Sequence, residues 1–265
     1  MSDILTDTSS ASIVAALEAN WRAYRRSWGR HPAVEVRDDE RFFWFITGQP
    51  SGWVNAVLRA DLPPDEADDA ISATIDHFSR RGVPWLWIVG PSSAPADLSE
   101  RLATHGLRSS GQCPGMALVL PEHEIVLPQV AGLVIQTPSA SAALDQWGQI
   151  YADDRDRVGV MQEIQVASMD YPGKRYYIGL LDGEPVAAAI LLLAEGVMGI
   201  YGVATILSAR GRGIGTAMTW AALRDGQQAG YRVATLQASS SGFNLYQRMG
   251  FTVYRQFDVF APAEQ

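Results

Sequence analysis

Apolar residues recur along this chain at two spacings, every second residue and every third or fourth, and the switches between them mark its elements. In the second half, residues 133–137 read as a short strand. Residues 140–153 read as a helix, with Ala143, Leu144, Trp147, Ile150 and Tyr151 at helical spacing and Ser139 or Ser141 as its cap. Residues 153–159 form a charged loop. Apolar runs at 176–181 and 186–193 are joined by Asp182-Gly183-Glu184-Pro185, which carries the Asp-Gly hairpin signal. Glu195-Gly196 turns the chain into a third strand, 198–205. A glycine-rich loop leads into a helix from about 213 to 228, with Ile214, Ala217, Met218 and Ala221 on one face and Gly230 placed to end it. Residues 232–238 are a further strand, 242–249 a short helix and 251–260 a closing strand. The order is strand, helix, a second bracketed helix, three strands, helix, strand, helix, strand. It predicts an α/β fold, a mixed sheet with helices on its faces.

The first half repeats that rhythm in worn form. Residues 13–24 read as a helix, 41–47 and 53–58 as strands, and 65–80 as a helix. A strand at 84–89, a helix at 98–105 and a strand at 115–120 complete it. Two copies of one fold are expected, parted near the charged, Pro-flanked stretch 121–128, giving domains of residues 1–125 and 126–265.

Composition narrows the chemistry. A length of 265 residues and 47% apolar content suit a folded protein with a sizeable core. The net charge of −8, with 17 of the 29 acids before residue 127, argues against a nucleic-acid backbone as partner. The single cysteine, Cys113, excludes an intrachain disulfide and any multi-cysteine zinc site. His31, His77, His105 and His123 never fall three or four apart, so no metal site is expected. All but one of the 21 basic residues are arginine, the exception being Lys174. The N-terminal stretch has no basic and apolar signal pattern, and the longest apolar run, 186–194, is far short of the roughly 20 residues that span a bilayer. A cytoplasmic protein without a membrane partner is the expectation.

The most informative stretch runs from Val203-Ala204-Thr205 through Arg210-Gly211-Arg212-Gly213-Ile214-Gly215-Thr216. A strand ends, three glycines allow backbone N–H groups to converge, and a helix begins with unpaired N–H groups and the positive end of its dipole. Arg210 and Arg212 add full charges, and a diphosphate fits such a place. A plain glycine-rich turn is the bland alternative. The spacing is neither the GxGxxG dinucleotide fingerprint nor a GxxxxGK[ST] phosphate loop. Downstream, Leu236-Gln237-Ala238-Ser239 ends a strand and Tyr246-Gln-Arg-Met-Gly250-Phe251 follows on a short helix, where Tyr246 is either a packed aromatic or a functional hydroxyl.

Arg210-Gly211-Arg212-Gly213-Ile214-Gly215 meets the [Q/R]-x-x-G-x-[G/A] signature and Tyr246 to Phe251 the Tyr-x-x-x-Gly-Phe pattern of the GNAT superfamily of acyl-CoA-dependent N-acetyltransferases, which the chain resembles over about residues 130–260. The resemblance implies acetyl-CoA as cosubstrate, with its pantetheine arm along Val203, Ala204 and Thr205 and its diphosphate on residues 211–216. It places Tyr246 beside the thioester sulfur, where a phenol of pKa about 10 keeps a proton for the departing thiolate at neutral pH. It implies direct attack of an amine on the acetyl carbonyl, polarised by a backbone N–H near Thr205. Many relatives carry Asn where this chain has Ser239, and a glutamate base where it has Ala234. Tyr201, Glu163, Asp154 or a water relay are the remaining choices of base.

The first half lacks both chemical features. Its loop, residues 58–69, has no glycine and five acids, and Leu102 stands at the position of Tyr246. Residues 1–125 are therefore expected to be a degenerate copy, contributing Trp21, Tyr24, Trp28, Phe42, Phe43 and Trp44 to the core or to one wall of an acceptor pocket. The expected function is acetyl transfer to a primary amine, a small molecule before a protein N-terminus or lysine. The rival is an acetyl-CoA-binding sensor, which would keep the loop and have no need of Tyr246. Acceptor, acyl length and oligomeric state are not legible.

Overall fold

The computed structural model describes residues 3–138, 146–147, 149–151 and 159–263. Ser9 opens α1 (Ser10–Arg26) by accepting the Ser12 N–H on its hydroxyl. Then come β1 (Glu35–Asp38), β2 (Phe42–Ile46), β3 (Asn55–Ala60), α2 (Ala67–Ser79), β4 (Leu86–Val89), α3 (Leu98–Thr104) and β5 (Leu107–Val119). The second half contributes β6 (Leu133–Gln136), α4 (Val160–Ala167), β7 (Lys174–Leu181), β8 (Glu184–Ala194) and β9 (Val197–Thr205). It ends with α5 (Ile214–Gln228), β10 (Val233–Gln237), α6 (Phe243–Arg248) and β11 (Thr252–Pro262).

The strands form one mixed sheet in the order β1-β2-β3-β4-β11-β5-β10-β9-β8-β7-β6. β3 and β4 are parallel and joined through α2, while β9 and β10 are parallel and joined through α5. Each unit follows an antiparallel pair and precedes a short helix and a long strand, so β1 to β5 correspond one to one with β7 to β11. The α/β fold and its duplication are as the periodicity predicts. The last strand of each copy is exchanged. β5 pairs with β10 along the whole of β10, β11 pairs with β4, and β5 and β11 pair with each other.

Turn chemistry explains the hairpins. Asp182 (φ 51°) and Gly183 (φ 92°) make the two-residue turn between the paired Leu181 and Glu184. Glu195 and Gly196 do the same between Ala194 and Val197. Along β8, Ala187, Ala189 and Leu191 pack on one face and Ala188, Ile190 and Leu192 on the other, so helices cover both sides. On one face α5 and α6 cover the second half, and α2 and α3 the first. On the other face α1 spans the two halves, with Leu17, Trp21 and Tyr24 in one cluster with Phe257 of β11 and Tyr201 of β9. Asn20 anchors it there, donating from Nδ2 to the Ala194 carbonyl (2.8 Å) and accepting the Tyr201 hydroxyl on Oδ1 (2.7 Å).

Two elements differ from the pattern. β5 begins eight residues before the predicted 115, because Arg108, Ser109, Ser110 and Gln112 expose their side chains while the backbone pairs with β11. β1 is too short and polar to announce itself, and α4 supplies the bracketed second helix. Most of the predicted helix 140–153, its caps Ser139 and Ser141, and loop residues 153–158 lie outside the described residues. At 147–151 the Tyr151 N–H donates to the Trp147 carbonyl (3.0 Å), and the two rings stack at 4.8 Å.

Candidate active site

The parallel pairing of β9 with β10 is confined to Met198–Ala234 and Gly199–Thr235. Beyond that point β9 follows β8 instead, with Ile190 opposite Tyr201, Ala188 opposite Ala204 and Ala187 opposite Thr205. Ala189 alone faces Gly202 and Val203, so β9 carries a bulge, and Gly202 takes the positive φ of 55° that it requires. The Tyr151 hydroxyl fixes the bulge by donating to the Gly202 carbonyl (2.7 Å). β10 meanwhile stays with β5 out to Gln237. The two parallel strands therefore part, and the half-buried Val203, Ala204 and Thr205 present a backbone edge to the gap. Such an edge pairs readily with an extended chain of amides.

At the end of β9, Ile206 N–H bonds back to the Val186 carbonyl (2.9 Å), a single 3-10 turn spans Leu207–Ala209, and the Arg210 Nε donates to the Thr205 carbonyl (3.0 Å). Gly211 (φ 77°) and Gly213 (φ 80°) occupy left-handed backbone, and nothing lies within 4 Å of where a side chain at 211 would sit. Gly213 precedes α5 and offers no side-chain cap, and no acid stands in the first turn. The helical ladder starts with Ala217 N–H on the Gly213 carbonyl (3.0 Å), so the N–H groups of Ile214, Gly215 and Thr216 are left for an external acceptor. Arg210 and Arg212 are exposed beside them. A diphosphate fits this open, unobstructed, positive cradle.

Tyr246 on α6 is 9% exposed and packs edge-on against Phe251 (5.7 Å, 66°). It shares a core cluster with Ala209, Ile214, Leu236 and Ala238, which ties it to the loop, to the first turn of α5 and to the end of β10. Leu245 reaches the same turn, its Cδ1 3.4 Å from where a Cβ on Gly215 would lie. Ser239 is exposed, and its Oγ accepts the Gly242 N–H (3.2 Å) while lying 3.1 Å from the Ser241 Oγ, so that hydroxyl orders the start of α6.

The choices of base fare differently. Burial pushes the Tyr201 hydroxyl well above the usual phenol range, Tyr24 adds to the shift, and the group donates to Asn20, so it holds its proton at neutral pH. The Tyr24 ring stacks on it at 3.9 Å. Glu163 is exposed on α4, 3.7 Å from the His31 Nε2. Asp154 lies outside the described residues. Ala234 is buried in β10.

The sequence pattern gave no hint of what surrounds Lys174. Only 7% exposed, its Nζ donates to the Ser168 Oγ (2.6 Å), the Ser27 Oγ (3.1 Å) and the Gln165 Oε1 (3.3 Å), with the Tyr24 and Tyr176 rings at 5.1 and 5.2 Å. Burial, then Arg25 and Arg30, lower its pKa well below the ordinary lysine value. Ser27 and Tyr24 come from the first half and Gln165, Ser168 and Tyr176 from the second, so this polar cluster joins the two. Among the described residues no three His, Cys, Asp or Glu side chains gather to hold a metal, and no helix is long and apolar enough to cross a membrane. Burial pushes the Cys113 thiol up to about 12, which leaves it unreactive.

Residues 142–251 match the Acetyltransferase (GNAT) family. No curated protein matches the sequence. Among solved structures, a GCN5-related N-acetyltransferase from Kribbella flavida superposes with a TM-score of 0.67 at 18% identity, covering 93% of this chain and 96% of its own. Another from Sphaerobacter thermophilus gives 0.60 at 14% identity over 96% and 93%. A tandem GNAT protein from the clavulanic acid biosynthesis pathway gives 0.58 at 14% identity over 87% and 83%. At these identities the likeness is one of fold, and it covers both halves of this chain.

Proposed function

We propose that the chain is an N-acetyltransferase that moves an acetyl group from acetyl-CoA to a primary amine, a small molecule before a protein amine, at the gap between β9 and β10. In this reading residues 1–125 are a degenerate GNAT domain and residues 126–265 the catalytic one, completed by the exchanged β5. The observation that carries it is the conjunction of an unpaired β9 edge with a bare, positive helix start directly after it.

Acetyl-CoA supplies an activated acetyl thioester. The chain does the rest. The N–H groups of Gly211, Arg212, Gly213, Ile214, Gly215 and Thr216 hold the diphosphate, and Arg210 and Arg212 add charge. The edge of Val203, Ala204 and Thr205 pairs with the amides of the arm, Ser239 borders that arm from the end of β10, and an N–H at the strand end polarises the acetyl carbonyl. The Tyr246 Oη keeps a proton for the leaving sulfur. With Tyr201 bonded to Asn20, the amine loses its proton to Glu163, to Asp154 or to a water relay.

Calorimetry of the whole chain with coenzyme A, followed by thiol release from acetyl-CoA across an amine panel, tests the reading. One saturable site and amine-dependent release are expected. Binding without release on any amine would leave a sensor, and no binding would end the assignment.

A further inference from the structure

A cavity of about 410 Å3 lies between α5, the outer strands β6 and β7, and the connecting residues 127–130. Its volume is in the range of small-molecule sites, roughly 300–1,000 Å3. Ala217 and Ala221, one turn apart on α5, line it with methyl groups that leave the space open, and Val130, Leu133 and Ile135 give apolar walls.

Arg224 lines the same cavity from the next turn. Among the described residues it makes no ion pair, and its buried Nε has no hydrogen-bond acceptor. The neighbouring Asp225 is already engaged, its Oδ2 accepting the Tyr177 hydroxyl (2.7 Å) and lying 4.0 Å from Nη1 of Arg175. Asp225 lines the cavity too, but its carboxylate is taken up by Tyr177 and Arg175, so the Arg224 guanidinium has no carboxylate of its own among the described residues. Gln129, Gln136 and Thr137 add polar groups to the same walls, and a planar fork of donors at the end of a slot of mixed lining is what a carboxylate with a partly apolar body fills, its two oxygens on the fork.

We propose that this cavity binds a small-molecule carboxylate, its head on the Arg224 guanidinium and its apolar body against Ala217, Ala221 and Ile135. The cavity lies beside the glycine loop, Val130 Cγ2 being 3.9 Å from where a side chain on Gly213 would sit, and the inference stands whether or not acetyl transfer is the activity.

Octanoate and phenylacetate are the probes, titrated into the full chain by calorimetry or NMR, with octylammonium as the control of opposite charge. Either carboxylate saturates one site while octylammonium does not. Arg224→Gln weakens the carboxylate by about ten-fold or more, the value of a charged hydrogen-bonded contact. Ala221→Leu fills the slot and abolishes binding. Coenzyme A binding in the same samples, with thermal unfolding beside it, separates a lost cavity from a misfolded variant. Equal binding of octylammonium, unchanged affinity in Arg224→Gln, or no saturable binding of either carboxylate overturns the proposal.

Discussion

The same gap between parallel strands occurs twice in this molecule and has opposite fates. In the first half β3 and β4 pair only at Ala56–Leu86 and Val57–Trp87 before parting. There the chain closes the gap with its own backbone. Ala94 N–H donates to the Ala60 carbonyl (2.8 Å), and the Ala94 carbonyl accepts from Leu62 N–H (3.1 Å). Glu18 of α1 pins the plug from outside, its Oε1 accepting the Ser92 hydroxyl (2.8 Å) and its Oε2 the Ser92 N–H (3.2 Å). The helix that follows, α2, starts after Glu66 with Asp68 and Asp69 in its first turn. In the second half no described residue pairs with that edge, and the helix start carries no acid. The two halves share one frame, and among the described residues the chain fills the gap with its own backbone only in the first. What distinguishes a site from a scar here is backbone pairing left unmade and charge left unneutralised.

The contrast breaks most sharply at Tyr246. Tyr246→Phe should lower kcat by about a hundred-fold or more, the scale of general acid catalysis, with coenzyme A affinity within a few-fold. Leu102→Tyr, its counterpart in the first half, should add no activity. Steady-state kinetics and calorimetry read both, and an unchanged kcat removes Tyr246 from its role.

Next in size is the loop. Gly213→Val forces a β-branched residue to φ 80° and should weaken coenzyme A by roughly ten- to hundred-fold through strain alone. Asp68→Asn with Asp69→Asn in the first half should leave coenzyme A binding unchanged, because Ala94 already occupies that gap. Gain of a second site in this variant would show that charge and not the plug silenced the first copy.

The plug itself has a pH signature. Burial raises the Glu18 carboxyl above its ordinary value of 4.5, against the opposing bonds from Ser92 and the charges of Arg22 and Arg255. The folded state thus holds its proton more tightly than the unfolded one. The associated stability is present below pH 4.5 and is lost as pH rises through the folded value. Melting followed against pH should show that decline in the parent protein and a flatter profile in Glu18→Gln.

The smallest effect belongs to Ser239. Its exposed hydroxyl shares the Gly242 N–H with the Ser239 carbonyl, so Ser239→Ala should cost no more than about 1 kcal/mol of stability and change coenzyme A affinity by less than a few-fold. A large loss of affinity with unchanged stability would instead put that hydroxyl on the cofactor arm.

Much of this frame was legible from periodicity, because β8, β9 and α5 bury regular faces and their turns use Asp182-Gly183 and Glu195-Gly196. The turn at residues 210–216 was legible because Gly211 and Gly213 take the left-handed backbone that a tight strand-to-helix turn needs. The parting of β9 from β10 was not, since it depends on a one-residue bulge at Gly202 and on β10 preferring β5, a pairing between residues more than a hundred apart. Nor was the cluster around Lys174, where each side chain looks ordinary and only the packing of α1 on α4 and β7 removes the water. The plug at Ala94 is a backbone event, and side-chain patterns do not record it.

The exchange of β5 and β11 sets a condition on how the molecule can be made. As the polypeptide leaves the ribosome, the first half lacks the neighbour that β4 needs until residues 252–262 have been synthesised. A fragment beginning after residue 125 would leave β10 without β5, an uncovered edge inviting self-association. The two copies cannot be cut apart into independent modules, because each is completed by the other's last strand.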